Sequence, residues 1–526
     1  MMSVLPKPNS VIVEQTGACV IPKQFCIELG GFDHWCTEAF IERMGSSTND
    51  GITWVTLNQE PMMGPEEYHL VAEKTGVMIW ASTETGVVRA LTTLYQMADT
   101  GGNLPLCEIW DQPKYSHRGL CLDCSRHFFA PSVVKQIIEQ ISLVKLNVLH
   151  WHLADDQGWR IESKVFPKLH EISKAYYTQT QILDIVEYAR IRGVEVIPEI
   201  DMPGHTTSLL AAYPQYSCFE HTLPLATRSG VYPVILCAGK DQIFEFLEAV
   251  FEEICALFPS DRFHVGGDEA PKSEWKECPY CRRRMEQEGI LTLEDLQGYF
   301  TMRIGKILET HGKKMICWDD TLKASEWPGN ICIQHWTFLH EKQMEAYLTT
   351  GREWIYSNVY NLYLDYPHGM LPLKKVYLTN PQIGQLDCSR AKGLLGMEAC
   401  LWTEHIETNQ QLGSRLFPRT YAFAEAAWTQ EKDYSDFRMR LMAFMERTQS
   451  HSLTPTAEAW WDPEEKEGIQ EGIDYMKKAF FSHGEADNQA AIREPCDTEF
   501  WTSFIRGYFG DLFSPIVLKA LEKELV

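Results

Sequence analysis

The pattern of apolar and polar residues changes at about Arg118. Before that point short alternating segments predominate, and YHLVAEKTGVMIWAS predicts a β-hairpin that turns at Lys74–Gly76. The next segment, VVRALTTLYQMA, has the spacing of an amphipathic helix that would lie across the sheet. Residues 1–112 are therefore predicted to form a small α+β domain.

After Arg118, short and nearly continuous apolar runs alternate with amphipathic segments such as PSVVKQIIEQISLVK and IFEFLEAVFEEICALF. Continuous apolar runs are typical of strands that are buried on both faces. There are eight of them: Gly119–Leu122, Leu146–Leu153, Val194–Ile200, Phe263–Val265, Lys314–Trp318, Ile331–Trp336, Trp354–Val359 and Gly393–Trp402. This alternation predicts a fold of the α/β class, a parallel (β/α)8 (TIM) barrel over residues 113–430.

The last part of the chain, residues 431–526, is acidic and helix-like, as in DFRMRLMAFMERTQ and LKALEKELV. We expect a helical C-terminal region there. No internal repeat or low-complexity segment interrupts the chain.

Composition and charge narrow the class of partner. The formal net charge of −24 argues against a nucleic acid or an anionic membrane surface, because both require a basic face. A neutral substrate fits better. The N-terminal residues lack a basic segment followed by an apolar one, and the most apolar helical stretch, FLEAVFEEICALF, carries three glutamates. We therefore expect no signal peptide and no membrane span, and the 16 scattered cysteines favour reduced thiols and the cytoplasm.

Polar residues follow most of the predicted strands. The strand ends read LDCSRHF, HWHLADDQGW, PEIDMPGH, GGDEA, WDD and EACLWTE. Any one of these could merely cap the next helix. Because a barrel carries its active site at the carboxyl ends of its strands, the six together predict a functional site there.

Two of these residues, Asp268 and Glu269, are adjacent in HVGGDEA. Neighbouring side chains of a regular strand point to opposite faces, so both carboxylates can enter one pocket only if the chain leaves strand geometry. The preceding glycines permit such a change.

Aromatic residues also follow the strands: Trp318, Trp336 and Trp402, with Tyr363 in NLYLDY. Taken singly, each tryptophan is more simply a core residue. Beside carboxylates, however, flat aromatic rings are typical of a carbohydrate site, where the ring stacks on the sugar and charged groups bind its hydroxyls.

Five ordered motifs carry a resemblance to a known family: RGLCLDCSRHFF, KLNVLHWHLADDQGWRIE, VIPEIDMPGH, HVGGDEA and GMEACLWTE. They resemble the β-N-acetylhexosaminidases of glycoside hydrolase family 20. The resemblance implies a retaining exo-glycosidase that removes terminal β-linked N-acetylglucosamine or N-acetylgalactosamine. In such enzymes the acetamido oxygen of the substrate attacks carbon 1 and forms an oxazolinium intermediate. Glu269 would be the general acid and base, and Asp268 would orient the acetamido nitrogen and stabilise its developing charge.

The resemblance also implies substrate-binding positions. Arg126 would bind ring hydroxyls, for which a guanidinium fork is suited. The Tyr363 hydroxyl would meet the acetamido carbonyl. Asp365 and Glu404 would accept the hydroxyls at carbons 4 and 6.

Aromatic and supporting residues complete the implied site. Trp318, Trp336 and Trp402 resemble the tryptophans that wall the acetamido pocket and stack under the sugar. Asp155 and His205 resemble the pair behind the catalytic acid, where they would help set its protonation state.

A metal-dependent hydrolase is the alternative from another class. His150 and His152 form an H-x-H on a predicted strand, with Asp155, His205 and Asp268 as further ligands. A sugar-binding protein without activity is a third reading, against which the retention of both carboxylates argues. Within the family, release of a disaccharide by a lacto-N-biosidase-like enzyme stays open.

No cofactor and no metal is expected. Cys278 and Cys281 have zinc-like spacing, but no second pair follows them at a suitable distance, so we expect a plain loop. The expected partner is a carbohydrate with a terminal 2-acetamido sugar. The oligomeric state, a homodimer included, is left open, as is the choice between glucosamine and galactosamine.

Overall fold

The computed structural model describes residues 3–45, 52–99, 102–448, 453–481 and 498–521. Its first part is a six-stranded sheet in the order β1-β6-β4-β5-β3-β2, with helices α1 and α2 against it. The bounds are β1 Ser10–Val20, β2 Phe25–Glu28, α1 Trp35–Met44, β3 Ile52–Gln59, β4 Tyr68–Glu73, β5 Gly76–Ala81, α2 Glu84–Met97 and β6 Asn103–Asp111. The predicted hairpin is confirmed, because β4 and β5 pair antiparallel with Glu73 opposite Gly76.

The second part is the predicted barrel, and its eight parallel strands match the eight apolar runs. Seven of them are β7 His117–Asp123, β8 Val148–Asp155, β10 Glu195–Ile200, β11 Arg262–His264, β12 Lys314–Trp318, β13 Cys332–His335 and β14 Trp354–Tyr356, and the eighth is β17 Leu394–Leu401. Pairing of β17 with β7, and of β8 with β10, closes the sheet on itself. The α/β barrel fold is thereby confirmed.

Helices and short strands fill the connections of the barrel. In chain order they are α3 Pro131–Leu143, β9 Gly158–Trp159, α4 Lys168–Glu171, α5 Gln179–Arg190, α6 Thr207–Ala212, α7 Asp241–Cys255, α8 Ser273–Glu277, α9 Pro279–Glu288, α10 Leu293–Thr310, α11 Glu341–Leu348, α12 Val359–Leu362, α13 Leu373–Tyr377, β15 Gln382–Ile383, β16 Leu386–Asp387, α14 Asn409–Leu416 and α15 Arg419–Trp428. The connections after β10 and β11 are long, and both lead away from the carboxyl ends of their strands.

The main apolar core lies between the strands and the surrounding helices. Inside the barrel a smaller apolar layer, formed by Val148, Ile197, Ile316, Cys332 and Ile355, fills the amino-terminal half. Above that layer the inward side chains become polar, which places the polar residues of the strand ends at one mouth of the barrel.

The N-terminal sheet is joined to the barrel by buried charges. Glu66 binds Arg89 at 2.7 Å and Arg118 of β7 at 2.6 Å. Burial raises the pKa of Glu66, but the two arginines outweigh burial and lower it to about 2. Lys145 binds Asp111 at 2.8 Å in the same interface. Because a buried charge left without its partner is costly, these pairs fix the sheet against the barrel.

The C-terminal region is helical, as expected: α16 Tyr434–Arg447, α17 Glu465–Met476 and α18 Thr498–Leu521. Backbone angles of φ 70° and ψ 174° at Gly510 kink α18. Part of the predicted segment LKALEKELV lies outside the described residues. The Tyr508 hydroxyl donates to the carbonyl of Val359 at 2.8 Å, so α18 packs beside the connection that follows β14.

None of the helices in the described part of the chain combines the length and the apolarity needed to cross a membrane.

Candidate active site

The adjacent carboxylates lie where the chain leaves strand geometry. After β11 ends, Gly266 and Gly267 adopt φ of 65° and 101°, and Glu269 adopts 46°. A Cβ on Gly266 would lie 1.8 Å from Oδ1 of Asp201, so only glycine fits this turn. As predicted, the backbone departs from the strand at the glycines, and this departure lets Asp268 and Glu269 approach the same histidine.

That histidine is His205, which follows β10. Its Nε2 lies 3.4 Å from Oε2 of Glu269 and 4.0 Å from Oδ2 of Asp268. Its Nδ1 lies 3.2 Å from Oδ1 of Asp155. Burial disfavours a charged imidazole, but Asp155, Asp156 and Glu269 together outweigh burial and raise the pKa of His205 well above its usual range. His205 is therefore a cation that joins Asp155 to Glu269.

Asp268 is an acceptor that lacks a protein donor. Its side chain is 15% exposed, and its Oδ1 is buried without a hydrogen-bond partner among the described residues. Burial raises the pKa of Asp268, the charge of His205 opposes this effect, and the charges of Glu269 and Asp320 add to it, so that the pKa is raised to about 7. A buried, unpaired oxygen of this kind is suited to accept an N–H or O–H from a ligand. By contrast, the Glu269 side chain is 44% exposed.

Arg126 lies beside this group, held by carboxylates. Its Nη2 is 2.7 Å from Oδ2 of Asp155 and 3.9 Å from Oε1 of Glu404, and its Nη1 is 3.3 Å from Oδ2 of Asp123. The guanidinium also lies 5.2 Å from the centre of the Trp402 ring. Arg126 thus links the Asp155 side of the site to Glu404 and to an aromatic surface.

The aromatic surface is centred on Trp402. Its ring lies 5.8 Å from that of Trp318 and 6.1 Å from that of Tyr363, and Tyr363 stacks on Trp336 at 6.1 Å. Trp318 is 1% exposed and donates from Nε1 to Glu199 at 3.0 Å, whereas Trp336 and Trp402 are partly exposed. Trp318 is thus a buried support, and Trp336 and Trp402 offer ring surface.

Asp365, the last of the predicted site residues, lies near Glu404. Its Oδ1 is buried and has no hydrogen-bond partner within the described ranges. Burial and the charge of Glu404 raise the pKa of Asp365 to about 8. Asp268 and Asp365 therefore place unpaired carboxylate oxygens at separate positions around the aromatic surface.

The structure brings all the predicted site residues to one mouth of the barrel, where contacts and charges connect them. Two family models match the chain: "Glycosyl hydrolase family 20, catalytic domain" over residues 115–431 and "Glycosyl hydrolase family 20, domain 2" over residues 1–112. The chain belongs to glycosyl hydrolase family 20. The family and the glycosidase class that the motifs indicated are confirmed; the roles of individual residues stay predictions.

Relatives within family 20 agree with this assignment. A β-hexosaminidase of Porphyromonas gingivalis is 33% identical over 476 residues, which is 83% of this chain, and the match spans only 60% of that protein's own length. A solved GH20 exo β-N-acetylglucosaminidase of Vibrio harveyi in complex with N-acetylglucosamine is 28% identical, with a TM-score of 0.76 over 87% of this chain and 78% of the other. A β-N-acetylhexosaminidase of Bacteroides fragilis is 27% identical, with a TM-score of 0.78 over 87% and 98%.

Beneath the site, this family 20 chain has a charged centre that the sequence analysis missed. Glu199 lies 3.1 Å from Nε2 of His150 and 2.8 Å from Nδ1 of His264, and it also binds Nδ1 of His152 and Nε1 of Trp318. The only signal in the sequence is period-two spacing of polar residues on the strands, as in HWH and EID. Through Trp318, this centre fixes the base of the aromatic surface.

The same contacts argue against the metal-dependent alternative. Nδ1 of His150 lies 2.7 Å from Glu398, and Nε2 of His152 lies 2.9 Å from Asp155. Burial opposes protonation, but the carboxylates outweigh it and raise the pKa of His150 to about 10 and that of His152 to about 9. Both ring nitrogens of each histidine therefore already face a carboxylate, and the pair fits a role in balancing the charges of Glu199, Glu398 and Asp155.

Proposed function

We propose that the protein is an exo-acting β-N-acetylhexosaminidase that releases terminal, non-reducing N-acetylglucosamine or N-acetylgalactosamine with retention. The observation that carries the proposal is the pairing of Asp268, with its unpaired buried oxygen, and the more exposed Glu269 on one cationic His205. One carboxylate is suited to hold an amide N–H, and the other can exchange protons with a leaving group and with water.

In the proposed mechanism the substrate supplies the nucleophile. The acetamido oxygen attacks carbon 1 while Glu269 donates its proton to the departing glycosidic oxygen, which gives an oxazolinium ring and a free alcohol. Asp268 accepts the acetamido N–H and stabilises the positive charge as it develops. Glu269, now a carboxylate, takes a proton from water as the water opens the ring, which restores the β configuration.

The remaining residues fit recognition of one sugar ring. Trp402 offers a partly exposed face for stacking, and the Tyr363 hydroxyl would hold the acetamido carbonyl. Asp365, with its unpaired oxygen, and Glu404 would accept hydroxyls at carbons 4 and 6, and Arg126 beside Glu404 would bind a neighbouring hydroxyl.

A panel of chromogenic β-glycosides tests the function. We expect turnover of N-acetylglucosaminide or N-acetylgalactosaminide and almost none of the glucoside, which differs only at carbon 2. A thiazoline that mimics the cyclic intermediate should inhibit competitively and bind about 100-fold or more tighter than substrate. Equal turnover of glucoside, or turnover of a disaccharide glycoside only, would contradict the proposal.

Trp402→Ala should raise KM with little change in Tm. The Trp402 ring is partly exposed, so its removal should cost stacking on the substrate rather than packing in the core. The matched control is Trp354→Ala, since Trp354 is 0% exposed. Loss of a core tryptophan costs about 3–5 kcal/mol, so the control should lower Tm markedly. Kinetics and thermal melting on the same preparations compare the two. A large Tm loss with unchanged KM in Trp402→Ala would make that residue part of the core.

The pH profile of kcat/KM should show an acidic limb near pH 7. Asp268 must be ionised to stabilise a positive charge, and because its pKa is raised to about 7, the competent form is lost as pH falls through that value. Asp320→Asn removes one of the charges that raise this pKa, so it should move the limb to lower pH. An unshifted limb would assign it to another group.

We also propose a reducing compartment, the cytoplasm, because none of the 15 described cysteines is in a disulfide bond and 14 of them are buried. Cell fractionation with an antibody to the chain tests this, and recovery from a secreted fraction would contradict it.

A further inference from the structure

Four cysteines form a compact cluster away from the carboxylates of the site: Cys218, Cys237, Cys278 and Cys281, all buried. The expectation of a plain loop at Cys278 and Cys281 is wrong. Cys278 directly precedes α9 and Cys281 lies in its first turn. The second pair exists, but it precedes them in the chain, in the connection between β10 and α7.

The spacing of the sulfurs fits a single metal ion. Sγ of Cys237 lies 3.7 Å from that of Cys278 and 3.6 Å from that of Cys281, and Sγ of Cys218 lies 3.9 Å from that of Cys281. All four sulfurs lie within 4.8 Å of one another. Four sulfurs placed tetrahedrally at about 2.3 Å from a zinc ion are separated from each other by about 3.8 Å. A disulfide would instead require about 2.05 Å between two of them.

We propose that these four thiolates bind one Zn²⁺ in a closed, structural site. A full set of four sulfur ligands leaves no open position for water or substrate, so the ion would have no catalytic role. This inference rests on the cysteine geometry alone and is independent of the proposed glycosidase activity.

The backbone segments that carry the four cysteines pack directly against each other, which favours fixed positions for the four sulfurs. A Cβ on Gly239 would meet backbone atoms of Tyr280 and Cys281 at 2.2–2.4 Å, so the two segments touch directly. Lys240, which is 7% exposed, donates from Nζ to the carbonyl of Ser217 at 2.9 Å. The same Nζ binds Glu220 at 2.8 Å, so Lys240 joins the chain on both sides of Cys218 to the segment that follows Cys237.

The metal would join the connection that carries His205 to the one that carries Asp268 and Glu269. Cys218 and Cys237 belong to the connection between β10 and α7, which also contains His205, and Cys278 follows Glu269 in the next connection. The amide of Leu236 donates to the carbonyl of Pro203 at 3.0 Å, next to His205. Trp275 in turn donates from Nε1 to the carbonyl of Leu236 at 2.9 Å. The zinc site would thus stabilise the packing of these connections on each other.

Metal analysis of the full chain, purified without chelators from zinc-supplemented medium, tests the proposal. We expect about one zinc per chain, and X-ray absorption at the zinc edge should give four sulfur neighbours at about 2.3 Å. Cys278→Ser should retain less than about a tenth of the zinc and lower Tm by about 5 °C or more. The control Cys255→Ser changes a buried cysteine of α7 outside the cluster and should keep the full zinc content.

Because Cys278→Ser can fail to fold, a second test measures zinc binding by the wild-type chain. Titration with a mercurial should release zinc to a chelating dye in step with modification of four thiols. Less than about 0.1 zinc per wild-type chain would overturn the proposal. So would an absorption spectrum dominated by nitrogen and oxygen, iron in place of zinc, full zinc content in Cys278→Ser, or recovery of the four cysteines as two disulfides.

Discussion

Glu269→Gln lowers the turnover of an unactivated oligosaccharide about 100- to 10,000-fold, the loss expected when a general acid is removed, and leaves binding largely intact. Gln keeps the shape of the side chain and its proximity to His205, but it cannot donate a proton to the leaving oxygen. An aryl glycoside with a strongly acidic leaving group needs less protonation, so its first step should slow far less. Steady-state kinetics on matched substrates of graded leaving-group pKa measure the difference.

The second half of the reaction gives an independent readout. Azide opens the oxazolinium ring without giving up a proton, so azide should accelerate Glu269→Gln on activated substrates and yield a β-glycosyl azide. The matched control is Glu286→Gln on the exposed side of α9, which should behave like wild type. If Glu269→Gln cleaves unactivated oligosaccharides at the wild-type rate, another residue is the acid.

The barrel could be predicted from the sequence because its strands are buried on both faces and stand out as continuous apolar runs. The prediction for Lys314–Trp318 agrees with β12 residue for residue. The run Trp354–Val359 was too long, since β14 ends at Tyr356 and the side chain of Asn358 caps a helix that begins at Val359. An apolar pattern shorter than two helical turns cannot separate the end of a strand from the start of a helix.

The candidate site could be located because its residues follow strand ends that a barrel brings together. The centre on Glu199 could not be predicted. Its partners, among them His150 and His264, come from different strands, and only the closed barrel puts them within 3.1 Å and 2.8 Å of the same carboxylate. The sequence carries the alternation along each strand but not the pairing across strands.

The cysteine cluster was missed for a related reason. A metal motif recognisable from sequence has its second pair within the same stretch of chain, and no such pair follows Cys278 and Cys281. The partners, Cys218 and Cys237, lie instead in the preceding connection of the barrel, separated from α9 by a whole α–β unit. Their proximity follows from the parallel arrangement of β10 and β11, not from spacing.

The position of the C-terminal helices also depends on tertiary packing. Tyr475 of α17 is partly buried near the carboxylates of the site, and burial, then Asp365 and Glu404, raise its pKa well above the usual range. Nothing in the acidic, helix-like pattern of this region indicates that α17 would lie beside the two residues proposed to bind carbons 4 and 6.

Asp268→Asn lowers kcat on the order of 100- to 1,000-fold, with a small change in KM, because the interaction it removes is made mainly on the way to the intermediate. In the free site this carboxylate is poorly stabilised: its pKa is raised to about 7 and one oxygen is unpaired. A charge held in this way interacts strongly with the positive charge that develops on the oxazolinium ring. Asn keeps the shape of the side chain but loses that charge.

Substrates that differ only in the acetamido group test the same step. Successive fluorination of its methyl group weakens the carbonyl oxygen as a nucleophile, so kcat of the wild-type chain should fall steeply from acetamido to trifluoroacetamido. The matched control is Asp184→Asn, which removes a carboxylate that is 62% exposed and bound to Lys135. This variant should show the same fall of kcat across the substrates as the wild-type chain.

The outcome decides between two chemical roles for the adjacent carboxylates. If the substrate provides the nucleophile, neither Asp268 nor Glu269 ever carries the sugar, and no adduct forms with a 2-fluoro sugar that lacks the acetamido group. A protein nucleophile would predict the reverse: a rate insensitive to fluorination and a covalent sugar on one of the two residues, detectable by mass spectrometry of the digested chain. Because Asp268 has a buried oxygen without a hydrogen-bond partner among the described residues, we expect it to accept the acetamido N–H rather than to form a bond to the sugar.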